Sequence, residues 1–209
     1  MIEDLDLSTR DVGVQGCPYS FSAYAFQKHL MPLGAQEARV QYLYSSRAVL
    51  SALENGSVQY GLIALESNTG GLVTESMDAL TEISRESQSS LNLEGLFNCK
   101  TNHFAMRWKG AREADITHIC CHPQAYEETR TILASRFPRA RLRTDLLSRG
   151  KTEISDFVEM LKNSEIDRQS HILVGSPAAC GHLPLHSEDL FGRRQPVITQ
   201  FALLKWRSK

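Results

Sequence analysis

The chain has 209 residues, a formal net charge of −1 and 42% hydrophobic residues, enough for one domain with a large core or two smaller units. Near-neutral charge, with no basic stripe interleaved with aromatics, argues against a nucleic-acid partner. No apolar run approaches the roughly 20 residues of a membrane span, and the acidic start Met1-Ile2-Glu3-Asp4-Leu5-Asp6 lacks the apolar centre of a signal peptide. No membrane partner and a cytoplasmic setting are the expectation.

A tail is expected over residues 1–10, then a short strand in which Val12 and Val14 alternate. The turn Gly16-Cys17-Pro18-Tyr19-Ser20-Phe21-Ser22 hands that strand to a helix carrying Ala23, Phe26 and Leu30. Residues 38–44 read as a strand, and a helix near 46–55 presents Val49, Leu50 and Leu53 before stopping at Gly56. Gly61-Leu62-Ile63-Ala64-Leu65 is an apolar run of strand length, as in a sheet covered on both faces. The turn Glu66-Ser67-Asn68-Thr69-Gly70-Gly71 follows, then a helix with Val73, Met77 and Leu80.

The polar stretch 85–90 breaks the pattern; 91–99 and 102–108 read as extended and 116–121 as a buried strand. Pro123 suits the first turn of a helix over 123–136, with Glu127 and Glu128 near its positive end. Residues 140–144 form a short strand, and Ile154, Phe157, Val158 and Leu161 mark an amphipathic helix. Ile172-Leu173-Val174 is a strand ending at Gly175-Ser176-Pro177, and 197–206 is the last. This βαβ series predicts an α/β protein in which one domain over 11–209 forms two lobes around a cleft: lobe 1 about 11–88 plus 185–207, lobe 2 about 89–184.

Three strand-end turns (16–22, 66–71, and Cys121-His122-Pro123-Gln124) gather small hydroxyls and amides, which donate directional hydrogen bonds to a small anion. Ser20 or Ser22 serves equally as a helix cap, residues 66–69 as an ordinary loop, and His122 as an N-cap. The five cysteines, Cys17, Cys99, Cys120, Cys121 and Cys180, have no spacing of a disulfide framework. Adjacent Cys120 and Cys121 point to opposite faces of a strand, so they do not share a metal. No metal and no cofactor are expected.

From about Val12 to Trp206 the order of these motifs resembles the catalytic domain of the prephenate dehydratase family. The family's Gly-x-x-Gly-Thr-Phe-Ser turn is matched by residues 16–22, and its Gly-x-x-x-(aromatic)-Gly approach by Gly56-Ser57-Val58-Gln59-Tyr60-Gly61. Its Pro-Ile-Glu-Asn-Ser turn is matched by Ala64-Leu65-Glu66-Ser67-Asn68, its Ser-His-Pro-Gln-Ala by Cys121-His122-Pro123-Gln124-Ala125, and its Thr-Arg-Phe by Thr199-Gln200-Phe201. The resemblance implies a two-lobed α/β fold like the type II periplasmic binding proteins, with the active site in the inter-lobe cleft. It implies prephenate as substrate, Thr199 at the departing hydroxyl, and Ser20, Ser22, Ser67, Asn68, Thr69, His122, Gln124, Gln200 and Phe201 as binding residues. Glu66 is expected behind the turn, because a free carboxylate would repel a dianion. A homodimer is implied as well. Many members carry a C-terminal ACT-type regulatory domain; no counterpart follows the last expected strand, so feedback control of that kind is expected to be absent.

Four positions depart from the family pattern. Tyr19 stands for glycine, Ser67-Asn68 reverses Asn-Ser, Cys121 replaces serine and Gln200 replaces arginine. Losing one hydrogen bond to a charged group costs about 1.5–3 kcal/mol, a tenfold to hundredfold loss of rate. Lys151 either compensates the charge missing at Gln200 or is a solvated surface lysine. The edits leave three readings: a prephenate dehydratase giving phenylpyruvate, a nonaromatising prephenate decarboxylase that keeps the ring hydroxyl, and a non-catalytic prephenate-binding protein. Arogenate is an alternative substrate to prephenate.

Overall fold

The computed structural model describes residues 7, 9–33, 35, 38–86, 91–147, 153–192 and 196–207. In chain order its elements are β1 (Asp11–Val14), α1 (Phe21–Ala25), β2 (Arg39–Tyr42), α2 (Ser46–Glu54), β3 (Tyr60–Ser67), β4 (Gly71–Leu72), α3 (Thr74–Glu86) and β5 (Leu91–Lys100). Then come β6 (Phe104–Trp108), β7 (His118–Cys121), α4 (Pro123–Arg136), β8 (Arg141–Leu142), α5 (Thr144–Leu147), α6 (Ile154–Lys162), β9 (His171–Gly175), β10 (Leu185–Asp189) and β11 (Ile198–Trp206). They group into two compact units: unit 1 is Met1–Cys17, Ser22–Thr101 and Val197–Lys209, and unit 2 is Pro18–Phe21 with Asn102–Pro196.

Unit 1 is built on a mixed sheet in the order β2-β1-β3-β11-β5, with β4 paired to β3. Its strands bury both faces because neighbouring residues point to opposite sides. Leu62 and Leu203 join Val12, Val14, Phe26 and Leu30 on one face, while Ile63 and Leu204 join Val49, Leu53 and Ile83 on the other. Each such side chain contributes about 1.5–3 kcal/mol on burial. Leu7 is buried in the first of these clusters, so the stretch expected as a tail supplies a core residue.

The expected helix with Ala23, Phe26 and Leu30 is a composite. After the single α-turn of α1, residues Phe26–Leu30 widen into a π-turn closed by Met31 N–H on the Phe26 carbonyl. Pro32, which has no N–H to continue the ladder, follows at once.

Unit 2 repeats the strand logic in the order β10-β6-β9-β7-β8, with β8, β7 and β9 parallel and β6 antiparallel to β9. Ile119, Cys121, Leu133, Phe137, Ile172 and Val174 form its core. Glu127 and Glu128 fall past the first turn of α4, beyond the reach of its positive end; Glu127 pairs with Arg130 at 3.3 Å.

The bounds of the units differ from the expected lobes. β5 belongs to unit 1, since it pairs along its whole length with β11, and the chain leaves at Thr101/Asn102 rather than at 88/89. Residues 185–196 belong to unit 2 because β10 pairs with β6. Among the described residues no helix is long and apolar enough to cross a membrane.

Gly61 fixes how closely α2 lies on β3. A Cβ there would stand 2.6 Å from Val49 Cγ1 and 2.8 Å from Leu53 Cδ1, and the branched Val49 cannot swing away within a helix. Gly61→Ala is therefore expected to destabilise the protein by about 1–3 kcal/mol in urea unfolding, because α2 must lift off the sheet.

Candidate functional site

At the C-terminal end of β3, two motifs widely separated in sequence are joined. Asn68 closes a reciprocal pair with Ile198: its N–H donates to the Ile198 carbonyl at 3.0 Å, and its Oδ1 accepts from Ile198 N–H at 2.8 Å. That pair sets the register of β11, which brings Thr199 opposite Ser67 on one side and Cys99 on the other. Ser67 Oγ accepts from Gly70 N–H at 2.8 Å and lies 3.4 Å from Thr69 Oγ1, so the hydroxyls of this turn form one group. Thr199 is buried, and its Oγ1 lies 2.6 Å from Thr101 Oγ1, a residue that sequence reasoning did not single out.

Gln200 stands in the next row, opposite Glu66 and Asn98. Alternation along a strand puts that row on the face away from Ser67 and Thr199. Glu66 therefore lies on the face away from Ser67, and Gln200 lies beside Glu66 rather than with Thr199. Phe201 is wholly buried in the core and stacks on Phe97 at 5.8 Å, so its place is in packing rather than in ligand contact. The N-terminus of α2 is closed to an anion, since the Glu75 carboxylate already accepts from Ser46 N–H and Arg47 N–H at 3.1 and 3.2 Å.

The 16–22 turn is shared between the units. Ser20 is half-buried just ahead of α1, and Ser22 is buried within it. Tyr19 has φ +71°, the left-handed region in which a side chain costs about 1–2 kcal/mol. Thus the residue standing for the family's glycine keeps a glycine-type backbone.

In unit 2, His122 is exposed where β7 passes into α4, and its carbonyl accepts from Tyr126 N–H at 3.0 Å. Gln124 lies in the first turn of α4. Cys120 and Cys121 are both fully buried, and desolvation pushes each thiol up to about 12, so neither is a nucleophile at neutral pH. Among the described residues no group of three or more His, Cys, Asp and Glu side chains is placed to hold a metal ion. Lys151 lies outside the described residues.

His103, which belongs to none of the sequence motifs, is nearly fully buried between Phe21, edge-on at 4.7 Å, and Phe191 at 5.8 Å. Its Nδ1 has no hydrogen-bond partner, and its Nε2 is 3.6 Å from Glu128 Oε2. The carboxylate would attract a charged ring, yet burial outweighs it and lowers the imidazole pKa to about 4.

The family model described as prephenate dehydratase matches residues 12–187. A curated prephenate dehydratase of Lactococcus lactis subsp. lactis (strain IL1403) is 30% identical over 94 residues, 45% of this chain and 31% of that protein. One from L. lactis subsp. cremoris (strain MG1363) is 30% identical over 103 residues, 48% of this chain and 34% of that protein. The matched stretch spans about a third of these relatives' length.

Among solved structures, prephenate dehydratase from Arthrobacter aurescens in complex with L-Phe is similar, with TM-score 0.74 at 18% identity over 95% of this chain and 61% of that one. The enzyme from Staphylococcus aureus subsp. aureus Mu50 gives TM-score 0.68 at 14% identity over 95% and 67%. GqqA, described as a novel type of quorum quenching acylases, gives 0.67 at 18% identity over 96% and 65%. At such identities these likenesses show the fold alone, an α/β arrangement, and one fold hosts different reactions.

Two outcomes follow from the geometry of this region. Tyr19→Gly and Tyr19→Ala both remove the ring, but only alanine keeps the backbone strain, so the glycine variant is expected to unfold at higher denaturant, by about 1 kcal/mol. His103 is held neutral on folding, so the stability it contributes is present above its unfolded value of 6.5 and is lost as pH falls from there toward about 4. Against His103→Phe, the unaltered chain is expected to lose roughly 3 kcal/mol more over that interval, measured by urea unfolding at stepped pH.

Proposed function

Because the chain belongs to the prephenate dehydratase family, we propose that it acts on prephenate, releasing carbon dioxide and water to leave phenylpyruvate. The electron pair of the ring–carboxylate bond moves into the ring as carbon dioxide departs. Hydroxide leaves the opposite ring carbon and takes up a proton to become water. Aromatisation drives the step, so the protein's work is to hold a dianion and to stabilise charge on the leaving oxygen.

The observation that carries this reading is the pairing of Thr199 with Ser67, locked by the reciprocal Asn68–Ile198 hydrogen bonds. Those bonds gather a row of neutral donors at one end of the sheet: the Ser67 and Thr69 hydroxyls, the Asn68 amide and the Thr199 hydroxyl. Neutral donors hold carboxylates without adding a competing negative charge. Glu66 on the far face keeps its own charge away from them. Thr199 is too weak an acid to transfer its proton outright near neutral pH, so it acts by hydrogen bonding to the departing hydroxyl. The family resemblance extends this reading to a cytoplasmic homodimer that works without a cofactor.

The test is product analysis after incubation with prephenate. Phenylpyruvate is the expected product. A dihydro-hydroxyphenylpyruvate would replace this reading with a nonaromatising decarboxylase, and calorimetric binding with no product would make the chain a binding protein. Thr199→Ala is expected to lower kcat by about 10²–10³ with little change in KM, the usual loss for one donor to a developing oxyanion.

A further inference from the structure

Thr101 closes unit 1 just before the chain leaves it, and it is 2% exposed. Its N–H donates to the Val197 carbonyl at 2.9 Å, which ties its backbone to the residue preceding β11. Its Oγ1 stands 2.6 Å from Oγ1 of Thr199, itself 9% exposed. That separation is within the range of a good O–H···O hydrogen bond. Both residues are β-branched, so their χ1 angles are stiff and the hydroxyl pair is held by side chains with little freedom to turn away.

Two hydroxyls that share one hydrogen bond leave one proton over. If Thr199 donates to Thr101, its proton is spent and it can only accept from a ligand. If Thr101 donates, Thr199 keeps its proton for an outside acceptor. Receiving a hydrogen bond also makes an O–H a stronger donor, by about 10–30%. An oxygen leaving as hydroxide is an acceptor whose negative charge grows, so it selects the second arrangement.

We propose that Thr101 is a positioning residue for Thr199: it donates to Thr199 Oγ1 and so directs the Thr199 proton toward the departing hydroxyl of the substrate. This rests on the dehydratase reading above. Thr101 touches neither substrate nor reacting atoms. Its whole effect passes through the orientation and polarisation of one neighbouring hydroxyl.

The experiment compares Thr101→Val, which keeps the shape and removes the hydroxyl, with Thr101→Ser, which keeps the hydroxyl. Thr101→Ala serves as a second hydroxyl-free variant that introduces no new bulk. The readouts are kcat and KM for phenylpyruvate formation, with the unfolding midpoint of each variant. Loss of the hydroxyl is expected to lower kcat about tenfold, the effect of one ordinary hydrogen bond, with KM within about twofold, and serine is expected to restore most of it.

An unchanged kcat in a folded hydroxyl-free variant overturns the proposal, as does a loss that serine fails to restore. Either leaves the dehydratase reading standing, because the unaltered chain still forms phenylpyruvate. An unaltered chain that forms none overturns that reading and this inference with it.

Discussion

Strand β11 enters the sheet of unit 1 antiparallel, between β3 and β5, and hydrogen-bonds to both along nearly its whole length. Everything at the candidate site depends on the register of that insertion. A slip of one residue would carry Phe201 and Leu203 to the opposite buried face, where Ala202 and Leu204 now pack, and turn Thr199 away from Ser67. Asn68 adds a direct lock, since its backbone and side chain together grip the first residue of the strand.

The polar groups near this strand are arranged by face and burial more than by sequence proximity. Thr199 and Gln200 are neighbours in the chain, yet one shares a row with Ser67 and the other with Glu66. An arginine at position 200, as in the family pattern, would meet the Glu66 carboxylate; the glutamine here leaves that row without a basic partner at this position. The departure alters what surrounds Glu66 more than what surrounds the Thr199 hydroxyl. The cysteine at position 121 is likewise part of the unit 2 core, where its thiol packs with Ala125, Ile172 and Val174.

Apolar residues at helical spacing locate α2 and α6, an unbroken apolar run of strand length points to β3, and Pro123 marks the start of α4. Such signals miss β10, whose Leu-His-Ser-Glu-Asp is too polar to announce a strand and which exists only because β6 offers it an edge. The unit bounds differ from the expected lobes for a related reason: Leu91–Lys100 follows a polar break, but its pairing with a strand near the far end of the sequence is a tertiary fact. Turn chemistry made Ser67, Asn68 and Thr69 legible. Thr101 and His103 carry no local signature, since a threonine or histidine gains its character here from one distant neighbour or from burial.

The insertion of β11 also governs the order in which the molecule can be made. During synthesis from the N-terminus, β3 and β5 emerge long before the strand that must lie between them, so the sheet of unit 1 waits with two unsatisfied edges. Unit 2 is almost one continuous stretch, so its sheet needs no strand from so far along the chain. Such delayed, long-range pairing is slow and leaves strand edges exposed to other chains.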